Sequence, residues 1–466
     1  SEMPSMWQLG STTQGEEGSK SVSGASRVPS WKTFRFWRSW IVLLLAIPFL
    51  GFGVSRIVYQ RQLDSARRLV AQWQDRSAHD ALLRLEDRYG ITGETSLLKA
   101  RAQRHLRNFE RSGLLIGFAR QLGGNPTEVD REAMLLSAQM GELSEVSKEF
   151  PRLIQEAGSD LGEVLHAFSI GSLIRMQFRD ALGMVGIWTK ELPQDGMPYV
   201  VLGMLAQYRQ QWTQASEAFA EALKRQPHLA AAQFGMAETK RHLNQWEEAV
   251  IYYRQYLQQQ PSSIEARKGM AESLLGTQKP QEAISLLEGL VAEGKRDFEA
   301  QLLLGRSLLD EGRATEAIER MAPLRELWPD DVDMNYALAR AYAQDGQDSM
   351  AEPLFAKTEE GNKFLKDIDL RLIDAEKQPN NAQLLYQVGH DLLHYSSRDE
   401  GRVWLQAALQ ANPSMVEAHQ DLYLLFSRSG DTGQAAVHRS AVIQLGGTIA
   451  AESPVGSKPA EAVVKP

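Results

Sequence analysis

The chain has 466 residues, 43% hydrophobic and 24% charged, with a formal net charge of -8. This is the composition of a folded protein, long enough for several ordinary domains or one long array, and its acidic balance argues against a broad nucleic-acid footprint, which needs clustered Lys and Arg. The absence of cysteine excludes disulfides, thiol nucleophiles and cysteine-ligated zinc or iron–sulfur sites.

Residues 1–35 are rich in Ser and Gly and poor in apolar side chains. They cannot bury enough surface to offset ordering entropy and are expected to be a disordered tail. Residues 36–59 change character, because the run from Ser39 to Ser55 carries no charge and is bounded by Arg38 and Arg56. At about 1.5 Å per residue the run spans roughly 25 Å. Ile57, Val58 and Tyr59 extend it towards a bilayer core of ~30 Å, with Trp37, Trp40 and Tyr59 where interfacial aromatics sit. It reads as one N-terminal transmembrane helix. A cleaved signal peptide ending at Gly53-Val54-Ser55 is the alternative, at odds with so long a leading region. Lys20, Arg27, Lys32, Arg35 and Arg38 before the run outnumber Arg56, Arg61, Arg67 and Arg68 after it. The expectation is therefore a single-pass protein with a cytoplasmic N-terminus and a periplasmic or otherwise extracytoplasmic remainder.

Residues 60–127 have helix-spaced apolar positions and few β-branched runs, and read as helical hairpins of divergent repeats. From 128 to 448 the pattern becomes strictly periodic: Ala181, Ala215, Ala249, Ala283, Ala317 and Ala351 stand 34 residues apart. Four residues after each comes a large side chain (Val185, Phe219, Tyr253, Leu287, Met321, Phe355), and twelve before each a small one (Ser169, Gly203, Ala237, Ala271, Gly305, Ala339). Pro193, Pro227, Pro261 and Pro329 close four units, and Gly312, Gly346 and Gly430 stand where a first helix must stop in a left-handed cap. Each unit is thus two antiparallel helices whose small residues permit close approach, with the large residue filling the seam. One hairpin cannot bury its own apolar face, whereas stacked neighbours can. Enlarging Ala249, in the contact register, is expected to cost more than enlarging Ala222.

With "VLGMLAQY", "QASEAFAEALKRQP" and "LLLGRSLLDEGRATEAIERM", this array resembles the tetratricopeptide repeat family, although the family's early Trp is missing from every unit. The resemblance implies an all-α solenoid, a right-handed superhelix of helical hairpins whose first helices line a groove for peptides or partner proteins. Its groove register falls on Met197, Val200, Met204, Tyr208 and Phe234, then on Arg241, Lys268, Arg306, Tyr336 and Arg340. That sequence suggests an apolar section followed by a basic one. The alternative is that the apolar members are core and the cations pair with nearby acids such as Glu272, Glu299 and Asp333. The family's Lys-Asn-Asn-Lys-Arg clamp for a terminal carboxylate is replaced here by His166, Val200, Phe234 and Lys268, so that clamp is not assembled.

Two segments break the rhythm. An insert near 361–381, with Leu365, Ile368, Leu372 and Ile373 at helical spacing, suggests a lengthened or additional helix. Residues 449–466 lack periodicity and are expected to be a disordered tail. "HDLLH" at 390–394 sets His390 and His394 on one helical face, resembling the zincin motif with Asp391 in place of Glu. An i, i+4 histidine pair is only half of a metal site, and no metal or other cofactor is expected. The sequence thus reads as a non-enzymatic, membrane-tethered scaffold for protein partners, serving assembly or maturation of an envelope complex. The alternative is a metal-binding or hydrolytic protein built on His390 and His394.

Overall fold

The computed structural model describes residues 55–293 and 297–449. Both expected tails, apart from Ile449, and residues 36–54 of the expected anchor lie outside the described residues. The described residues from Leu63 onwards belong to one compact unit, and the architecture below is that of this unit. Its described residues are helical throughout, with no strand among them. Among the described residues no helix is long and apolar enough to cross a membrane. The single-pass placement is corrected on that finding, and the envelope setting inferred from it is left without support.

The helices come as successive antiparallel pairs, among them Met197–Tyr208 with Trp212–Arg225, Ala230–His242 with Trp246–Gln259, and Ile264–Gly276 with Pro280–Ala292. All six in-phase alanines lie in second helices and are buried. The large residue one turn later is buried in the first five of these units, whereas Phe355, expected to fill the sixth seam, is exposed. Phe219 is fully buried against two glycines: a Cβ added at Gly203 would stand 2.6 Å from its ring, and one at Gly235 would overlap it. Tyr253 meets Gly269 in the same way one period on, and Met321 meets Gly305. The contrast expected between Ala249 and Ala222 is corrected, because Ala222 is as buried as Ala249. It lies two turns from Ala215 on the same face of its helix, so both alanines press on a neighbour.

One turn geometry joins the two helices of most units. Gly312, Gly346 and Gly430 have φ of 80°, 78° and 82°, and the next residue's N–H reaches back five residues to a carbonyl, as in Arg313 to Leu308 and Gln347 to Tyr342. This is the hydrogen bond of a Schellman cap. Six non-glycine residues hold the same conformation, Trp73, Arg107, Met176, Gln210, Asn244 and Gln278. From Met176 to Gly346 they and the glycines follow the 34-residue period, and Trp73, Arg107 and Gly141 continue it towards the N-terminus after a slip of one residue.

First helices also pack on the first helices of the next unit, as Met197–Tyr208 does on Ala230–His242 and Ile264–Gly276 on Phe298–Asp310. Closer spacing along that face curves the array towards it and makes it the inner face. The winding is tight enough for distant units to touch. Arg76 donates to the Gln259 carbonyl at 3.3 Å, and Met176 packs against the core built by residues 250–425. The irregular segment contains a long helix, Asp348–Leu365, followed by a helix at Ile368–Lys377. Ile373, Glu376 and Lys377 share a cavity of about 640 Å³ with Arg175, Met176 and Tyr208.

Candidate functional site

A cavity of about 660 Å³ opens where the N-terminal helices meet the inner face. Met197, Val200, Met204 and Phe234 all line it, brought together by the contact between their two first helices. Met197 and Val200 are buried, while Met204 and Phe234 are half-buried. Trp73, His105 and His166 form a further part of its wall. Arg76 and Arg107 also border the cavity, and both are exposed. His166, Val200 and Phe234, positions where the resemblance implied a lost carboxylate clamp, therefore surround one space with a different chemistry.

Behind that wall lies a network of buried charge. The Arg104 guanidinium, wholly buried, donates to Glu132 at 2.6 Å, to the Gln139 side-chain oxygen at 2.8 Å and to Glu163 at 2.8 Å. His105 lies between two carboxylates, with Nδ1 2.7 Å from Asp75 and Nε2 2.7 Å from Glu163. Both ring nitrogens donate only in the imidazolium form. Burial opposes that charge, but the two carboxylates prevail and hold the His105 pKa at about 9. His166 takes the opposite state. Burial, reinforced by the neighbouring His105 and Arg104 cations, drives its pKa well below the ordinary value. Its neutral ring stands 4.6 Å from Trp73, and its buried Nδ1 has no hydrogen-bond partner among the described residues. An unpaired polar atom buried in a wall costs free energy until something pairs with it.

The remaining groove-register residues lie elsewhere. Tyr208 is exposed, with its hydroxyl 3.6 Å from the Met176 sulfur. Arg241 is paired with Glu238 and Glu272, each at 2.9 Å, and Lys268 with Asp297 at 3.3 Å. These local pairs cancel much of the expected basic section. Arg340 reaches Asp310 only at 3.5 Å and lies over the exposed Tyr336 ring at 6.0 Å. Arg306 is exposed and makes no ion pair among the described residues.

The histidine pair also acquires surroundings the sequence did not indicate. Asp391 pairs with Arg371. The helix Val416–Ser429 instead brings Asp421, whose carboxylate places one oxygen 2.7 Å from His390 Nδ1 and the other 3.2 Å from His394 Nε2. The sequence reading missed Asp421, which is 27 residues from the nearer histidine. It also missed Trp73, Asp75 and His105, although Trp73 lies within one residue of where the 34-residue turn period, carried backwards, falls.

A family model described as "Tetratricopeptide repeat" matches residues 200–264, 269–323 and 302–362. That stretch carries tetratricopeptide repeats, and the helical array is a tetratricopeptide-repeat-like solenoid. No curated protein matches the chain. Among solved structures, one titled "Crystal structure of MamA protein" is 19% identical, covering 36% of this chain and 92% of that one with a TM-score of 0.33. YrrB, described as a TPR protein with an unusual peptide-binding site, is 17% identical over 50% of this chain and 95% of its own, with a TM-score of 0.28. The Cut9–Hcn1 hetero-tetramer structure of APC/C is 16% identical over 84% and 82%, with a TM-score of 0.33.

Proposed function

We propose that the protein is a non-enzymatic scaffold that holds a segment of a protein partner in the cavity bounded by Met197, Val200, Met204 and Phe234. The carrying observation is that these four residues converge with Trp73 and His166 on one space of about 660 Å³. Concave sites lined mainly by apolar and aromatic side chains, with few polar groups, are where proteins take ligands. Here the apolar wall suits a large aliphatic or aromatic anchor. Arg76 and Arg107 at the border outnumber the one exposed acid of the lining, Glu265, and favour a segment that carries an acidic residue next to the anchor.

A displayed library of random peptides tests this whatever the partner is. Selected peptides are expected to share an apolar anchor and to lose at least about tenfold in affinity against Met204→Trp, which fills the cavity, while Tyr336→Ala binds as wild type. Peptides that bind wild type and Met204→Trp equally would place the binding face elsewhere.

A further inference from the structure

We infer that His390, His394 and Asp421 form a binding site for a divalent transition-metal ion, zinc above all, with one coordination position left open. The two histidines project from one turn of the helix Ala382–Tyr395, and the carboxylate enters from the next unit's first helix. One candidate ligand atom from each residue can be chosen so that all three lie within 4.8 Å of one another. A tetrahedral zinc ion about 2.0–2.2 Å from each ligand holds them roughly 3.3–3.6 Å apart. His394 Nε2 lies 3.2 Å from one Asp421 oxygen and His390 Nδ1 lies 2.7 Å from the other, so an ion shared by all three needs one carboxylate oxygen to turn between the two imidazoles.

Two imidazoles and one carboxylate suit zinc, and also iron or cobalt, and are a poor set for magnesium or calcium, which take oxygen ligands. Three protein ligands leave the fourth position open, as in zinc sites that act on a ligand and unlike closed structural sites. That position faces outwards, since His390 is more than a third exposed while Asp421 is almost wholly buried. The Tyr386 hydroxyl, 3.5 Å from His390 Nδ1, is placed to hydrogen-bond whatever occupies it. Asp391, held by Arg371, does not serve as a general base, so the inference is of metal binding and not of hydrolysis.

Calorimetric titration of zinc into the chelator-treated, tag-free full chain is the test, with His438→Ala as comparison because His438 and His419 form a second close histidine pair. The expected result is one equivalent bound by wild type and by His438→Ala. Asp421→Asn and His390→Gln should bind at least about 100-fold more weakly, the upper end of what losing even an outer-shell partner costs. His390→Gln, at a partly exposed position, keeps the test valid if Asp421→Asn does not fold. Absence of zinc uptake by wild type, undiminished binding by the folded variants, or loss only in His438→Ala would show that the cluster is a carboxylate–imidazole pair and no more.

Discussion

Gln278 holds a left-handed backbone, φ 58°, at the end of the helix Ile264–Gly276, where Gly312 does the same one period later without a Cβ. The side chain of Gln278 is exposed, so little besides the Cβ strain distinguishes the two positions. Relief of that strain, roughly 1–2 kcal/mol, outweighs the added freedom of glycine in the unfolded chain, about 0.5–1 kcal/mol. Gln278→Gly is expected to raise stability by about 0.5–1 kcal/mol, and Gly312→Ala to lower it by about 1 kcal/mol or more. Urea midpoints check both, and equal midpoints for all three proteins would show that the turn relaxes around its residue. His105 gives a second prediction at this scale. Its folded pKa of about 9 exceeds the ordinary 6.5, so its stabilisation is complete below about pH 6.5 and is lost as pH rises through about 9. His105→Gln should therefore melt well below wild type at pH 6.5, by a few kcal/mol at most, and approach it by pH 10. A constant gap between the two melting curves would mean that His105 acts through packing and not through charge.

Within a helix pair, spacing in the sequence and contact in the fold correspond closely. Ala249 lies fully buried in its seam, whereas Ala220, in the corresponding helix one unit earlier, faces solvent. Ala249→Leu should cost about 1–3 kcal/mol and Ala220→Leu less than about 0.5 kcal/mol. Gly235→Ala should resemble the former, since its new methyl would meet the buried Phe219 ring. Thermal melts decide, and similar shifts for Ala249→Leu and Ala220→Leu would contradict the seam. The alanine register, five of the six seam-filling residues and the three glycine turns were legible because a helix pair is a local object and repetition exposes its rules; Phe355 is exposed. Ala222 was misjudged because it pads the same face without keeping the strict period. The Arg104 network and Asp421 were not legible. Glu163 lies 59 residues from Arg104 and Asp421 lies 31 from His390, and a lone charge on a helix looks solvated until its partner's helix is packed beside it. Four of the ten groove-register residues share the cavity, because register fixes which face a side chain occupies but not how tightly the array winds above it.

An ideal solenoid is a one-dimensional object in which each unit touches only its neighbours and stability accumulates along the chain. This array departs from that limit where Arg398 enters. Its guanidinium, almost wholly buried, donates to Glu299 at 2.9 Å and to Asp331, 99 and 67 residues away, and lies 4.2 Å over the Phe298 ring. Trp328 receives Arg398 at 5.8 Å and Arg428 at 4.5 Å, so units on both sides of the helix Ile368–Lys377 are tied to one aromatic. Asp331 is buried and also caps the next helix through the Met334 N–H. Removing the cation leaves that carboxylate unpaired, and breaking a buried pair on one side costs about 3–5 kcal/mol. Arg398→Ala is therefore expected both to destabilise the array and to uncouple it, so that residues 382–444 open before residues 298–344 in urea. Hydrogen exchange measured segment by segment across the transition reads this directly. In wild type the two segments should lose protection together, and in Arg398→Ala at separate urea concentrations. Coincident loss in the variant would mean that nearest-neighbour packing through the irregular segment, and not the Arg398 clamp, makes the two halves of the array cooperate.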